Sequence, residues 1–331
     1  MQQRLLNRRD LLKGAVASTA ASALTMPASS YARVLGANDR INLAVVGCGN
    51  RGYYMMTKFQ AFPEVNVTAV CDVFGEKAAR AAQTAGGAPQ FSDHRRIMER
   101  GDVDAVLVAT PDHWHAAVSI DAMNAGKDVY VEKPLTFRRE EGPAIIDAAR
   151  DNERICQVGL QQRSGEVFLR AKREIIDAGL LGKVSTVSTV WHYGPPYDLG
   201  DRSEPKPPTL DWDRYLGQIP WRPWNPHQYH HYRLFLDFGG ACMTDLFTHW
   251  IDVVHMLLGR DGPRSVAAVG GIFVANDDRT APDTANIVAE YDGFTVTFES
   301  TSLPGMPSEH LVFWGTKGKL WISRLRFEFT P

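Results

Sequence analysis

The feature that most restricts this chain is an apolar run that ends abruptly in glycines. Ile41, Leu43, Ala44, Val45 and Val46 lead directly into Gly47-Cys48-Gly49-Asn50-Arg51-Gly52. The pattern predicts a buried strand, a tight turn and a helix over residues 53–62. The glycines have separate jobs: a sharp turn, room for backbone to approach a pyrophosphate, and close helix-to-strand packing. The helix start adds unpaired N–H groups and partial positive charge, which suit phosphates. A second strand over residues 65–70 leads to Asp72, 20 residues after Gly52, where a carboxylate would hold a ribose 2′-hydroxyl. A glycine-rich turn alone is also plain loop geometry. Strand, turn, helix and acid together predict a dinucleotide site.

The alternation continues. Helices are predicted over residues 75–84, from the Ser92-Asp93 cap to Arg100, over 113–124 and over 136–152. Between them lie strand candidates at Gln90-Phe91, 105–109, 128–131 and 155–159. Apolar strands alternating with helices imply a parallel sheet covered on both faces, an α/β fold. Ligands then bind at the strands' carboxyl ends. Those ends carry Gly47–Gly52, Asp72, Thr110-Pro111, Glu132-Lys133-Pro134 and Gln161-Gln162-Arg163.

The second half has a different pattern. A helix over residues 164–178 precedes a strand over 184–191 that alternates Val and Trp with Ser, Thr and His. Residues 193–237 are rich in Pro, Trp, Tyr and His and show no apolar period, which predicts a functional loop or lid. A helix over 239–258 follows, then strands over 266–274, 285–291 and 295–300, the last two joined at Asp292-Gly293. A further hairpin is expected over 311–322. The expectation is an α+β unit, a helix laid on a mostly antiparallel open sheet.

Three groups of residues are candidates for chemistry. Lys133 leaves a strand on the cofactor rim, where it would hydrogen-bond a substrate hydroxyl or a ribose; an ordinary surface lysine is the competing reading. Asp245, His249 and Asp252 fall on one helix face. A histidine there would take an alcohol proton while the carboxylate orients it. A structural Asp–His pair competes, as does a metal site, although His230-His231 alone is too little to complete one. The third group is Trp191, His192, Tyr193, Trp212, Trp221, Trp224, Tyr229 and Tyr232, which with Arg233 and Asp237 would suit a carbohydrate. For most of these eight aromatics, a small core beneath a long loop is the preferred reading.

Bulk properties exclude other classes. With 44% hydrophobic and 22% charged residues and a net charge of −2, neither disorder nor nucleic-acid binding is expected. The four cysteines form no CxxC pair and read as free thiols. Residues 1–32 stand apart: a twin-arginine run (Arg8-Arg9), a mildly apolar stretch and small residues before cleavage after Ala28 or Ala32. Their removal takes four positive charges and one negative, moving the net charge from −2 to −5. The expected location is periplasmic or secreted.

AVVGCGNRG, the strand end ATPDHWH, VEKP at Val131–Pro134 and the helix GGACMTDLFTHWID together resemble the glucose–fructose oxidoreductase / inositol dehydrogenase / MocA family. The resemblance runs from residue 38 to about 325 and implies a Rossmann domain over 38–160 and a substrate domain over 161–331. It implies catalytic roles for Lys133, Asp245 and His249. Gly47, Gly49, Asn50, Arg51, Gly52, Asp72, Thr110, Pro111, His115, Glu132, Lys133 and Gln162 become cofactor residues. Arg163, Tyr232, Arg233, Asp237, Asp245 and His249 become substrate residues, and no metal is implied. NAD is preferred over NADP through Asp72, with Arg51 or Lys77 able to offset it. Sugars or cyclitols are the implied substrates, and oligomers through the open sheet are common in the family. Relatives with the long loop continue past Pro331, so a shortened C-terminus is expected. Because free dinucleotide is scarce outside the cytoplasm, a tightly held, internally recycled cofactor is expected. The alternative is glycoside cleavage by transient oxidation, elimination and re-reduction. A non-catalytic sugar-binding protein is a third reading.

Overall fold

The computed structural model describes residues 40–331 except 197, 307 and 308. The expected signal segment, residues 1–32, lies outside the described residues. The first half builds β1 (Ile41–Val46), α1 (Asn50–Phe59), β2 (Val65–Cys71), α2 (Gly75–Thr84), β3 (Gln90–Phe91) and α3 (Arg95–Met98). It continues with β4 (Ala105–Val108), α4 (His115–Asn124), β5 (Asp128–Val131), α5 (Glu141–Asp151) and β6 (Cys156–Val158). Helices α1 and α5 differ most from expectation. α1 starts at the turn itself, and α5 starts five residues late, where the Glu141 carboxylate accepts the Phe137 and Arg138 N–H groups.

All six strands run parallel in the order β3-β2-β1-β4-β5-β6. The order reverses between β1 and β4, which opens a crevice at their carboxyl ends. Val45, Val70 and Leu107 point to one face of the sheet and Ala44, Val106 and Val129 to the other; all are buried, since helices cover both sides.

The second half holds α6 (Glu166–Ala171), β7 (Val184–Val190), α7 (Trp212–Leu216), α8 (Pro226–His230) and α9 (Thr248–Leu258). Strands β8 (Ser265–Gly271), β9 (Thr284–Tyr291), β10 (Phe294–Ser300), β11 (His310–Gly315), β12 (Gly318–Ile322) and β13 (Phe327–Thr330) follow. Their sheet has the order β13-β12-β11-β7-β10-β9-β8, antiparallel except where β7 runs parallel to β10. Phe168, Trp250, Val253 and Leu257 from the helices bury against Val187, Ile287, Phe298 and Phe313 of the sheet. The predicted single helix from Gly239 carries a π-turn at Met243–Phe247 before α9, and the predicted 164–178 helix carries another at Lys172–Ile176. Wide turns of this kind recur where a helix is bent to serve a site.

The 193–237 segment is not structureless, as expected, but folds around its own apolar cluster. Trp212, Tyr229, Leu234 and Phe238 are buried there, with Trp224 and Tyr232 packed against them, while Trp221 is exposed. Cys48, Cys71 and Cys242 are buried free thiols and Cys156 is half-buried. Among the described residues, no helix is long and apolar enough to cross a membrane and no side-chain cluster could hold a metal.

Candidate active site

The crevice at the switch point is a cavity of about 510 Å³. Its floor is the glycine turn. Gly47 has φ +90°, and a Cβ there would lie 2.6 Å from the Ala109 backbone. A Cβ on Gly52 would lie 1.8 Å from the Gly47 carbonyl oxygen, so these two glycines are required by the fold. Gly49 is different: its φ is −63° and nothing lies within 4 Å of the Cβ position. The protein does not need glycine there, whereas a ligand seated against the turn does. No side chain caps α1 and no acid sits in its first turn, so its N-terminal turn stands uncapped at the cavity floor. The residues present therefore fit a dinucleotide pyrophosphate. Gly49→Val should leave thermal stability within about 0.5 kcal/mol while weakening dinucleotide binding at least about ten-fold. Calorimetric melting and titration of the same sample measure the two effects.

Asp72 stands at the end of β2, where its Oδ2 accepts the Cys48 N–H (2.7 Å) and its Oδ1 the Phe74 N–H (2.8 Å). Burial raises this carboxyl above its usual range despite those two bonds and the nearby Lys77 and Arg80 charges. Asn50, Arg51, Thr110 and Pro111 line the cavity with it, and Arg51 Nε donates to Glu132 Oε1 at 2.7 Å.

The chemistry-bearing groups meet around Asp245, which the π-turn carries toward the end of β5. Lys133 Nζ donates to Asp245 Oδ1 and, at 2.9 Å, to the Asp245 carbonyl. Tyr193 Oη donates to Oδ2 at 2.9 Å and Arg233 Nε to Oδ1 at 3.2 Å. Burial raises the Asp245 carboxyl, but Lys133 and Arg233 more than offset it, and the group is held below its usual range. His249, one helical turn on, is buried and stacked on Trp191 at 5.6 Å between ring centroids. Burial first, and the Lys133 charge second, lower its pKa to about 4. Its buried Nδ1 has no partner among the described residues. A neutral imidazole beside an ammonium can accept a hydroxyl proton through whichever ring nitrogen a substrate reaches.

Not every predicted residue reaches this place. Both His115 ring nitrogens face carbonyls, Pro134 O at 2.6 Å and Thr110 O at 2.9 Å, so it ties two strand ends together behind the cavity. Gln162 is buried in a tight turn off the cavity wall. Arg163 is spent on Asp252 at 2.6 Å. Asp237 is exposed and pairs with Arg222 at 2.6 Å, so it binds a surface arginine and not the cavity contents. Tyr232 and Arg233 do line the cavity, the guanidinium lying 4.6 Å over the tyrosine ring.

Asp112 is a residue that the sequence reading passed over. It is buried beside Thr244 Oγ1 (3.4 Å), and burial raises its carboxyl against the pull of His115, Arg233 and Lys133. Its signal was its place in ATPDHWH, at the same strand end as Thr110.

Residues 41–160 match the profile described as "Oxidoreductase family, NAD-binding Rossmann fold", and residues 215–321 match the GFO/IDH/MocA C-terminal domain. The chain belongs to this family. It is similar to scyllo-inositol 2-dehydrogenase (NAD(+)) of Bacillus subtilis strain 168, 34% identical over 44% of this chain and 42% of that one. It is also similar to a glycosyl hydrolase family 109 protein of Saccharopolyspora erythraea, 35% identical over 45% of this chain and 34% of that one. The matches thus span less than half of these curated relatives. Among solved structures, an NAD-binding protein from Listeria innocua aligns with TM-score 0.66 and 26% identity, covering 88% of this chain and 76% of that one.

Proposed function

We propose that this protein is an NAD-dependent oxidoreductase that moves hydride to and from a carbon bearing a hydroxyl in a sugar or cyclitol. The observation that carries the reading is the Lys133–Asp245–His249 cluster, built from both halves of the chain and joined to the cavity wall through Arg233. The similarity to an NAD(+)-dependent inositol dehydrogenase supports the substrate class. A bound nicotinamide dinucleotide would supply the hydride acceptor and donor. The chain's own residues do the rest. Asp245 anchors Lys133 through two of its three N–H donors, leaving one for the substrate hydroxyl. His249 takes that hydroxyl's proton on oxidation and returns it on reduction. Asp72 sits where it would accept a ribose hydroxyl, which favours NAD over NADP.

The proposal extends to export through the twin-arginine segment, a cofactor retained through each turnover, and a multimer formed on the second sheet. Val269 and Val288 lie exposed on that sheet's outer side, opposite the buried row that includes Ala289. A second reading, glycoside cleavage through transient oxidation, is favoured by the similarity to a family 109 glycosyl hydrolase.

Protein purified from the periplasm should lack residues 1–32, elute as a multimer and release NAD(H) on denaturation, identified by mass spectrometry and 340 nm absorbance. Protein free of any dinucleotide removes cofactor retention, and a monomer removes the assembly. Without added cofactor, sugar pairs should exchange redox state. Release of the aryl group from aryl glycosides instead would establish the second reading.

A further inference from the structure

Residues 209–230, between β7 and α9, contribute to the cavity wall and fasten to the first half of the chain at separate points. Gly75 N–H donates to Thr209 O (3.0 Å) and Asp211 N–H to Val73 O (2.9 Å), a short backbone seam beside Asp72. Tyr215 O accepts Trp114 Nε1–H at 2.9 Å, and His113 Nε2 lies at the same distance from it. Gln218 Nε2 donates to His113 O (2.9 Å), and Arg214 donates to Ser92 Oγ (3.0 Å). Lys77 Nζ donates to Tyr229 Oη at 2.7 Å. The buried cluster of Trp212, Leu216 and Phe238 stiffens the segment from behind.

This segment also walls the cavity. Arg214, Tyr215 and Tyr229 line it opposite Asp72, Phe74 and Lys77. Those opposing residues follow β2, and Ser92 follows β3, on the side of the switch point away from Lys133 after β5. In a dinucleotide laid across the crevice, that side takes the adenosine half.

We propose that residues 209–230 form the second wall of the dinucleotide site, close over its adenosine half, and must detach before a dinucleotide can leave. The proposal rests on the dinucleotide reading above and supplies a structural means of retention for it. A groove formed by the sheet ends alone leaves the adenosine open to solvent. Here the aromatic rings of Phe74 and Tyr229, both on the cavity wall, are in edge contact at 6.3 Å, and the seam joins both sides.

The contact at Gly217 gives a way to loosen the strap at its seat on Trp114, a residue of the cavity wall. Its φ is +58°, and a Cβ there would lie 2.3 Å from the Trp114 ring. Gly217→Ala therefore pushes the strap off the ring, and Tyr229→Phe removes the hydroxyl that holds Lys77. Each holoprotein, loaded with NADH, is mixed with excess lactate dehydrogenase and pyruvate, and loss of NADH fluorescence reports release. Each variant should release NADH about ten-fold faster or more than wild type, the scale of one lost buried contact. In the wild type, NADH should slow hydrogen exchange at the Asp211 and Gly75 amides, a readout that needs no variant. Wild type that binds no NADH overturns the dinucleotide reading and this proposal together. Wild type that binds NADH, with release unchanged in both variants and seam exchange unaffected, overturns the strap alone.

Discussion

Lys133→Met should lower the single-turnover rate of hydride transfer by about 10²- to 10³-fold, the range for removing a donor that stabilises negative charge developing on the substrate oxygen. The expectation comes from where the ammonium is held. Lys133 leaves β5 on the crevice rim, and Asp245 comes from the other half of the chain to fix it. A flexible lysine would lose rotamer freedom on each turnover, whereas this one is already ordered, so its effect belongs in kcat more than in KM. The protein should still fold. Asp245 keeps Tyr193 and Arg233 as donors when Lys133 is gone, which limits the cost of the unpaired buried charge to about 1–3 kcal/mol. Rapid-mixing absorbance at 340 nm with a confirmed substrate, alongside urea unfolding, separates the two effects. A variant with wild-type turnover would place Lys133 among structural ion pairs and remove it from the chemistry.

The two halves of this site differed in how far the sequence disclosed them. β1, its glycine turn and Asp72 were legible because one local pattern carries them, apolar run, glycines and acid at fixed spacing. Lys133, Asp245 and His249 were legible as candidates, since a strand end and a helix face are both local features. Their meeting was not, because 112 residues separate Lys133 from Asp245. Tyr193 and Asp112 were missed as partners for the same reason. A long-range hydrogen bond leaves no period in the sequence. The aromatic segment misled in another way. Its apolar residues follow neither a helical nor a strand period because they pack on one another around short helices, so the small core expected for most of the aromatics could not be assigned residue by residue: Trp212 is core, and Tyr229 is both core and cavity wall. Arg163 was drawn into the site by its place at a strand end, and Asp237 by its charge beside the aromatic loop. Each instead found a countercharge of its own, on Arg222 and Asp252.

His249→Asn should lower the rate of oxidation by about 10²- to 10⁴-fold and change how both rate and stability respond to acid. With its pKa lowered to about 4, the wild-type imidazole is neutral through the physiological range, so this group should hold the rate level until the pH approaches 4. An acid limb centred near the ordinary histidine value, about 6.5, would identify a different base. Stability moves in a determined direction. Between about 6.5 and 4 the unfolded chain binds a proton on this histidine and the folded chain does not, so stability rises with pH across that window and is lost as pH falls through it. A shift of this size corresponds to a loss on the order of 3 kcal/mol by the bottom of the window. His113, also lowered to about 4 by burial, contributes in the same direction and is untouched by the substitution. The asparagine variant should therefore lose less stability than wild type between pH 7 and pH 4, but still lose some. Urea unfolding at both pH values measures this. An equal loss in both proteins would mean that His249 is solvated and charged as an ordinary surface histidine is. The neutral base on which the proposed hydride transfer depends would then be absent.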